Sequence, residues 1–207
     1  MEHILILNGS PRAPRSNSKK FAALFEEVSP LPAETRMIRP GREADLRLAV
    51  EQASQVLLVF PLYADSVPVP LLRFLNFLEQ NPPANHPVIS VLINCGFLEP
   101  EQNAVAVRIV RLFCQQNGYP FGSALMIGSG EAILDTPFRW LVRRKIRRLA
   151  RSMADAEPCT LKVTMPLPKR LFLRASTAFW EEYGRRNGVS RPEMETMDIE
   201  GPDGPAL

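Results

Sequence analysis

Cysteine and histidine are scarce in this chain. Its 207 residues include three cysteines, which lie far apart at Cys95, Cys114 and Cys159, and two histidines. The cysteines form no CxxC pair and show no metal-ligand spacing, so we expect no metal site. Their odd number argues against a secreted disulfide framework and favours a reducing compartment. We therefore expect the protein in the cytoplasm.

Long apolar stretches are absent as well. No apolar run approaches the roughly 18 residues that span a bilayer, and the first residues lack the basic and apolar regions of a signal peptide. We expect no stable membrane insertion. The net charge is only +3, although residues 139–152 hold seven of the 25 lysines and arginines. We interpret this stretch as a solvated helix face, with contact to nucleic acid, anionic lipid or nucleotide phosphate as alternatives, and we expect no nucleic-acid partner.

Strand and helix patterns alternate about five times along the chain. Buried strands are predicted at Ile4–Leu7, Val56–Phe60 and Val88–Ile93, an edge strand at Glu34–Ile38, and a fifth strand at Ala124–Ile127. Helical spacing occurs at residues 18–28, 43–53, 69–80, 100–117, 136–154 and 169–186. Within 100–117, it places Val105, Ile109, Leu112 and Phe113 on one apolar face. The alternation predicts an α/β fold with a doubly wound parallel sheet.

Two familiar phosphate-binding sequences are missing, namely GxxxxGK[ST] and GxGxxG. A different loop, Asn8 to Ser18, stands between the first strand and the first helix, and it is rich in hydroxyl and amide side chains. Free backbone amides and the helix dipole attract an anion at such a helix start. The loop suits a phosphate monoester, while a plain surface turn with a serine N-cap is the alternative reading.

Three further loops follow strands and are expected at the same end of the sheet, where ligands bind in doubly wound folds. The loop after the third strand carries Tyr63 among prolines, which suits the apolar wall of a flat ligand. The loop after the fourth strand carries Gly96 and Phe97, and the last carries Gly130 and Glu131. Cys95 lies at this end too, where we interpret it as a small buried side chain rather than a catalytic thiol.

Four segments together resemble the flavodoxin-like NAD(P)H-dependent FMN reductases. They are GSPR…SNS, PLYADSVPVPLLRFL, NCGFLEPEQN and IGSGE, within residues 3–131, and FLRASTAFWEEYGRRNGV resembles a C-terminal helix of some members. The resemblance implies a five-stranded sheet of order 2-1-3-4-5, bound FMN, and hydride transfer from NAD(P)H. The cysteine cluster of the related iron–sulfur flavoproteins is missing from residues 39–56.

The resemblance also implies the residues of the cofactor site. Carried over by position, the phosphate-binding residues are Ser10, Arg12, Ser16, Asn17 and Ser18. Those that flank the flavin ring are Pro61, Leu62, Tyr63 and Ala64, and those at its other edge are Cys95, Gly96 and Phe97, with Gly130 and Glu131 in the last loop. No side chain is assigned a catalytic role, because the flavin carries the redox chemistry.

The chain is thus predicted to be a flavoenzyme. It would pass a hydride from NAD(P)H through FMN to a small-molecule electron acceptor, such as a flavin or quinone. A flavodoxin-type electron carrier and a cofactor-free binding module are the alternatives, and a homodimer is an expectation from the resemblance. We assign residues 1–157 to the FMN-binding domain, 158–190 to a C-terminal helical extension packed on it or on a partner subunit, and 191–207 to a flexible tail.

Overall fold

A single parallel sheet organises the first part of the chain. The structure is a computed structural model that describes residues 3–12 and 16–196. Within these residues six strands pair in parallel in the order β2-β1-β3-β4-β5-β6. Their bounds are β1 (Ile4–Asn8), β2 (Ala33–Met37), β3 (Gln55–Pro61), β4 (Val88–Asn94), β5 (Phe121–Ile127) and β6 (Thr160–Val163). The parallel α/β architecture is therefore confirmed, with β2 at one edge as predicted.

Helices connect the strands and cover the sheet. The described residues form α1 (Asn17–Val28), α2 (Glu43–Gln52), α3 (Val69–Gln80), α4 (Ala104–Gln116), α5 (Arg139–Ala154), α6 (Lys169–Arg186) and α7 (Arg191–Met194). Short 3₁₀ turns precede α4 and α5, at Pro100–Asn103 and Ile133–Asp135. The helix bounds differ from the predicted ones by a few residues at most, because apolar periodicity marks the middle of a helix better than its ends.

The central strands are buried along most of their length, because helices lie on both faces of the sheet. In β1 and β3, alternate residues such as Leu5, Leu7 and Phe60 join the apolar side chains of α2, α3 and α4 in one core. Helices α1 and α5 contact each other and the sheet. This sandwich fixes the carboxyl ends of β1, β3, β4 and β5 side by side, and the four loops of the candidate site start there.

The prediction of five strands is wrong, because a sixth strand extends the sheet. Strand β6 pairs in parallel with β5, from Ala124 opposite Thr160 to Ile127 opposite Val163. Its four residues alternate between exposed and buried, with Leu161 and Val163 buried. In the sequence, these four residues form a short run between prolines, which is typical of a connector and not of a strand. The unpaired edge of β5 supplies the hydrogen-bond partners that make it a strand.

The buried face of α4 also differs from the expected one. Its buried residues are Ala106, Val107, Val110, Phe113 and Cys114. Of the predicted stripe, Phe113 is buried, whereas Val105 and Leu112 are both 52% exposed. Apolar residues at helical spacing occur on two faces of this helix, so periodicity alone does not select the face that packs.

The chain divides into two compact units, Met1–Met165 and Pro166–Leu207. The first unit thus includes residues 158–165, which the sequence analysis assigned to the C-terminal extension. In the second unit, α6 ends at Arg186, and Gly188 follows with a φ of 75°, as expected of the Asn187-Gly188 helix stop. Part of the expected tail is helical, at α7, while residues 197–207 lie outside the described residues.

Helix α6 carries an aromatic cluster whose rings pack on one another. Phe179 and Trp180 have ring centroids 5.3 Å apart, and Trp180 and Tyr183 have centroids 5.7 Å apart. Each of these side chains remains roughly half exposed, between 42% and 55%. No residue of this helix other than Gly184 is buried. The cluster is therefore a partly exposed apolar surface.

Candidate functional site

A cavity of about 920 Å³ opens at the carboxyl ends of the central strands. This volume suits a cofactor-sized ligand. Most of the predicted site residues line it: Ser10, Arg12, Ser16, Asn17, Ser18, Pro61, Leu62, Tyr63, Ala64, Cys95, Gly96 and Glu131. Phe97 and Gly130 are not among the lining residues, whereas Lys19, Lys20, Ala23 and Asn94 are. The structure thus gathers residues from four separate loops around one space.

The start of α1 forms one end of the cavity. Ser16 is the N-cap, and its hydroxyl oxygen accepts a hydrogen bond from the Lys19 amide at 3.2 Å. Among the described residues, the amides of Asn17 and Ser18, the first two of the helix, have no acceptor. Two free N–H groups and the positive end of the helix dipole therefore face this end of the cavity.

The turn that leaves β1 is held by its own side chains. The Ser10 amide donates to the Asn8 side-chain oxygen at 3.0 Å, and the Arg12 amide donates to the Ser10 hydroxyl oxygen at 3.3 Å. Both Asn8 and Ser10 are buried. Because each of these bonds joins two residues that are two positions apart, the bonds fix the direction in which the chain leaves the sheet. Ser10 is thereby placed on the wall of the cavity.

Asn17 connects α1 with the loop after β5. Its side-chain nitrogen donates to the Glu131 backbone oxygen and to the Glu131 carboxylate, both at 3.3 Å. Both hydrogens of this nitrogen thus point at Glu131, and the side-chain oxygen of Asn17 accepts no bond from described residues. Asn17 and Glu131 are both predicted site residues, and the structure brings them into contact across 114 positions of the chain.

A rigid turn forms the second wall. Ala64 and Asp65 have φ angles of 44° and 54°, and Tyr63 and Ser66 exchange two backbone hydrogen bonds, at 3.1 and 2.8 Å. Positive φ at both central positions of a two-residue turn is the pattern of type I′. Leu62 is tied to β4, since its amide donates to the Asn94 backbone oxygen at 2.8 Å.

The loops after β4 and β5 are bonded to each other. The Ser129 amide donates to the Phe97 oxygen at 2.6 Å, and the Gly130 amide donates to the Cys95 oxygen at 2.7 Å. A side chain at Gly130 would place its Cβ 2.9 Å from the Asn94 Cβ, which is too close for any real contact. Gly130 thus contributes by close backbone packing behind the cavity, not by lining it. Phe97 extends outward and is 53% exposed.

Cys95 is a structural side chain in this arrangement. It is 5% exposed, and the Asn103 side-chain nitrogen donates to its Sγ at 3.3 Å. Burial raises the pKa of the Cys95 thiol, so the neutral form prevails at neutral pH. A thiolate nucleophile is thereby disfavoured.

Cationic side chains gather at the end of the cavity that the start of α1 forms. Arg12, Lys19 and Lys20 all line the cavity, and Lys20 forms an exposed ion pair with Asp135 at 3.3 Å. Glu131 supplies a carboxylate on the opposite loop. The excess of positive charge close to two free helix amides favours an anionic group at this end.

Among residues 3–12 and 16–196 the structure shows no metal site, no histidine at the cavity and no membrane-spanning helix. No group of three or more His, Cys, Asp and Glu side chains is arranged there to hold a metal ion. Both histidines lie away from the cavity: the His3 amide bonds the Ser54 hydroxyl oxygen, and His86 stacks edge-on with Tyr119. Within the same residues no helix is both long enough and apolar enough to cross a bilayer.

Comparison with known proteins finds likeness in structure but not in sequence. No protein-family model matches the chain, and no curated protein is similar enough in sequence to count as a relative. An NAD(P)H:quinone oxidoreductase from Methanothermobacter marburgensis matches with a TM-score of 0.57 at 16% identity, over 74% of this chain and 97% of that one. A flavodoxin from Streptococcus pneumonia TIGR4 matches with a TM-score of 0.55 at 13% identity, over 74% and 99% of the two chains. The fold is flavodoxin-like.

A third flavodoxin-like structure is a complex with FMN. It is an FMN-dependent NADH-azoreductase from Bacillus anthracis str. Ames Ancestor in complex with FMN, with a TM-score of 0.51 at 14% identity, over 74% of this chain and all of that one. At such low identity the likeness shows the fold alone. The structural neighbours are thus NAD(P)H-dependent quinone and azo reductases together with flavodoxins, as the resemblance of the four sequence segments implies.

Four lining residues were not predicted from the sequence. Lys19, Lys20 and Ala23 belong to the first turns of α1, and helical spacing alone indicates that Lys20 and Ala23 share a side of this helix. Asn94 is the polar last residue of β4, whose other residues except Ser90 are apolar. The one sequence signal for Asn94 is its position, since it is an amide side chain at the carboxyl end of a strand that is predicted to be buried.

Proposed function

We propose that the chain is an FMN-dependent oxidoreductase. In this proposal it passes a hydride from NAD(P)H through bound FMN to a small acceptor, such as a flavin or a quinone. One observation carries the proposal: the free amides at the start of α1 and the stiff wall from Pro61 to Ala64 face the same cavity of about 920 Å³. A phosphate monoester attached to a flat ring system matches both ends.

The residues present fit the cofactor. The Ser10 and Ser16 hydroxyls and the amides of Asn17 and Ser18 would bind the phosphate, with the charge of Arg12 added. The apolar residues of the second loop would orient the ring. Gly96 leaves room beside it, since an added Cβ would meet nothing nearer than the Glu131 Cγ at 3.5 Å.

Bound FMN would supply the redox chemistry, and the protein would supply position and electrostatics. The cationic end formed by Arg12, Lys19 and Lys20 would offset the phosphate charge. The bonded loops after β4 and β5 would keep the other end of the cavity fixed while donor and acceptor bind in turn. None of these roles requires a proton-transferring histidine, in agreement with the positions of His3 and His86.

Flavin binding and nucleotide turnover test the proposal separately. We expect the purified protein to quench FMN fluorescence on titration, and we expect the bound flavin to bleach anaerobically with NADH or NADPH. A protein that binds no FMN would overturn the proposal and favour a cofactor-free binding module. A protein that binds FMN but bleaches with neither nucleotide would be an electron carrier, the role that the match to a flavodoxin favours.

A double substitution tests the phosphate end. We expect Ser16→Ala with Asn17→Ala to weaken FMN binding by about 1–3 kcal/mol, because the Ser16 hydroxyl is lost as a donor to phosphate and the Asn17 side chain no longer joins the start of α1 to Glu131. Asn81→Ala is the control, since the Asn81 side chain bonds the Phe77 oxygen at the end of α3. Equal FMN affinity in the double variant and the control would remove Ser16 and Asn17 from the phosphate site.

A further inference from the structure

Asn94 is a buried amide that joins three elements beneath the cavity. It ends β4 and is 4% exposed. Its side-chain nitrogen donates to the Phe60 backbone oxygen at 3.2 Å and to the Ser18 Oγ at 3.1 Å. The ends of β3 and β4 and the start of α1 thus meet at one side chain.

The partners of Asn94 determine the direction of donation. A backbone carbonyl such as that of Phe60 can only accept, so the nitrogen of Asn94, and not its oxygen, faces this carbonyl. The second hydrogen of the same nitrogen points at Ser18. The Ser18 hydroxyl is therefore the acceptor in this bond, and its own hydrogen is free for another partner.

The Ser18 hydroxyl lies at the cavity, where its hydrogen can bond to a ligand. Ser18 is 1% exposed and lines the cavity, and it is the second residue of α1, whose amide is one of the two free ones. Among the described residues no acceptor bonds to the Ser18 hydroxyl. A buried donor that has no acceptor among the described residues, beside helix-start amides that also have none, is suited to bind an anion.

We propose that Asn94 is a positioning residue for the ligand phosphate. It holds the Ser18 hydroxyl with its hydrogen directed at the phosphate and thereby makes the site prefer FMN to riboflavin, the same flavin without phosphate. A dianionic phosphate accepts hydrogen bonds and donates none, so a hydroxyl fixed as a donor matches it without reorganisation. This inference rests on the proposed FMN function and adds the residue that sets its phosphate specificity.

The surroundings of Asn94 hold it in this orientation. Its backbone oxygen accepts from the Leu62 amide at 2.8 Å, and a Cβ added at Gly130 would lie 2.9 Å from the Asn94 Cβ. Gly130 must therefore be glycine, because a Cβ at this position would collide with Asn94. Any larger residue there would displace Asn94 and, through it, the hydroxyl of Ser18.

The ratio of the dissociation constants for riboflavin and FMN tests this role. We expect Asn94→Ala to weaken FMN binding about 10- to 100-fold while riboflavin binding changes less than about threefold, which is the loss of one charge-assisted hydrogen bond to phosphate. Ser18→Ala should give a similar change. The double variant should be no weaker than the weaker single variant, because both substitutions remove the same donor.

Riboflavin binding and a matched serine serve as controls. Riboflavin affinity reports whether the ring end of the cavity is intact, so a variant that misfolds loses both ligands and is told apart from one that loses phosphate recognition. Ser90→Ala removes another buried hydroxyl, one that accepts from the Ser123 amide at 3.0 Å inside the sheet. We expect this control to leave the riboflavin-to-FMN ratio unchanged.

The outcomes separate the two proposals. If the unmodified protein binds FMN and FMN affinity is unchanged in both Asn94→Ala and Ser18→Ala, the positioning role is overturned while the proposed function stands. If riboflavin and FMN weaken equally in both variants, Asn94 is merely structural and the role is again overturned. If the unmodified protein binds neither flavin, the proposed function fails, and the positioning role fails with it.

Discussion

The turn after β3 stores backbone strain beside the candidate site. Ala64 and Asp65 both adopt the left-handed region, with φ of 44° and 54°, where a non-glycine residue is disfavoured by about 1–2 kcal/mol. Ala64→Gly relieves this strain. It also raises the entropy of the unfolded chain, which costs about 0.4–1 kcal/mol. We therefore expect a net gain in the free energy of unfolding of about 0.5–1 kcal/mol.

The gain is measurable by thermal and denaturant unfolding of the ligand-free protein. For a chain of this size, 1 kcal/mol corresponds to a shift in Tm of about 2–4 °C, so we expect a rise of about 1–4 °C. Ala156→Gly is a matched control, because Ala156 also has a φ of 54° but does not line the cavity. It should give a similar rise. Ala44→Gly, in α2, should lower stability by up to about 1 kcal/mol instead.

Binding distinguishes the two stabilising variants. Strain persists at ligand sites when it holds a useful geometry, so Ala64→Gly should loosen the wall and weaken FMN binding while the protein itself becomes more stable. Ala156→Gly should leave FMN binding unchanged. A lower Tm for Ala64→Gly, or equal effects of Ala64→Gly and Ala44→Gly, would show that the turn is not strained and would refute this reasoning.

Further predictions concern packing and buried ionisable groups. Gly128→Ala should lower the free energy of unfolding by about 1–3 kcal/mol in urea titrations, because the new Cβ would lie 2.6 Å from the Leu98 backbone oxygen. Burial raises the pKa of Tyr119 from 10.0 to about 12, so unfolding should become easier as pH rises from about 10 towards 12, and Tyr119→Phe should abolish this part of the pH dependence. The variant should also gain up to about 1 kcal/mol at neutral pH, because the Tyr119 hydroxyl is buried without a partner among the described residues. Burial raises the pKa of the Cys114 thiol to about 12, so native-state alkylation followed by mass spectrometry should label the partly exposed Cys159 first, and faster labelling of Cys114 would contradict the packing.

Much of the fold follows from patterns within short segments. Continuous apolar runs such as Ile4–Leu7 predict strands covered on both faces, and the structure has β1 there, buried throughout. Strand β6 was missed because its existence depends on the edge of β5, a partner remote in sequence. The buried face of α4 was missed because the helix is apolar on two sides, and the sheet, not the helix, selects which side packs.

Those parts of the candidate site that lie within one short segment of the chain could be predicted from the sequence. A serine-rich loop before a helix indicates an anion site by itself, and the structure places Ser16, Asn17 and Ser18 at the start of α1. The contact between Asn94 and Ser18 joins residues 76 positions apart, and no local pattern indicates it. The turn at Ala64-Asp65 was equally hidden, because its conformation normally calls for Asn-Gly.

The two edges of the sheet bear on how copies of this chain can associate. Edge strand β2 exposes Glu34 and Arg36, which pair at 2.7 Å, and edge strand β6 is four residues long and exposes Lys162. Charged side chains and short length are the usual means by which proteins prevent one sheet from adding to another. A continuous intermolecular sheet is therefore disfavoured at both edges. The homodimer predicted from the resemblance would have to form through helices and loops, and its interface should respond to substitutions on those surfaces rather than in β2 or β6.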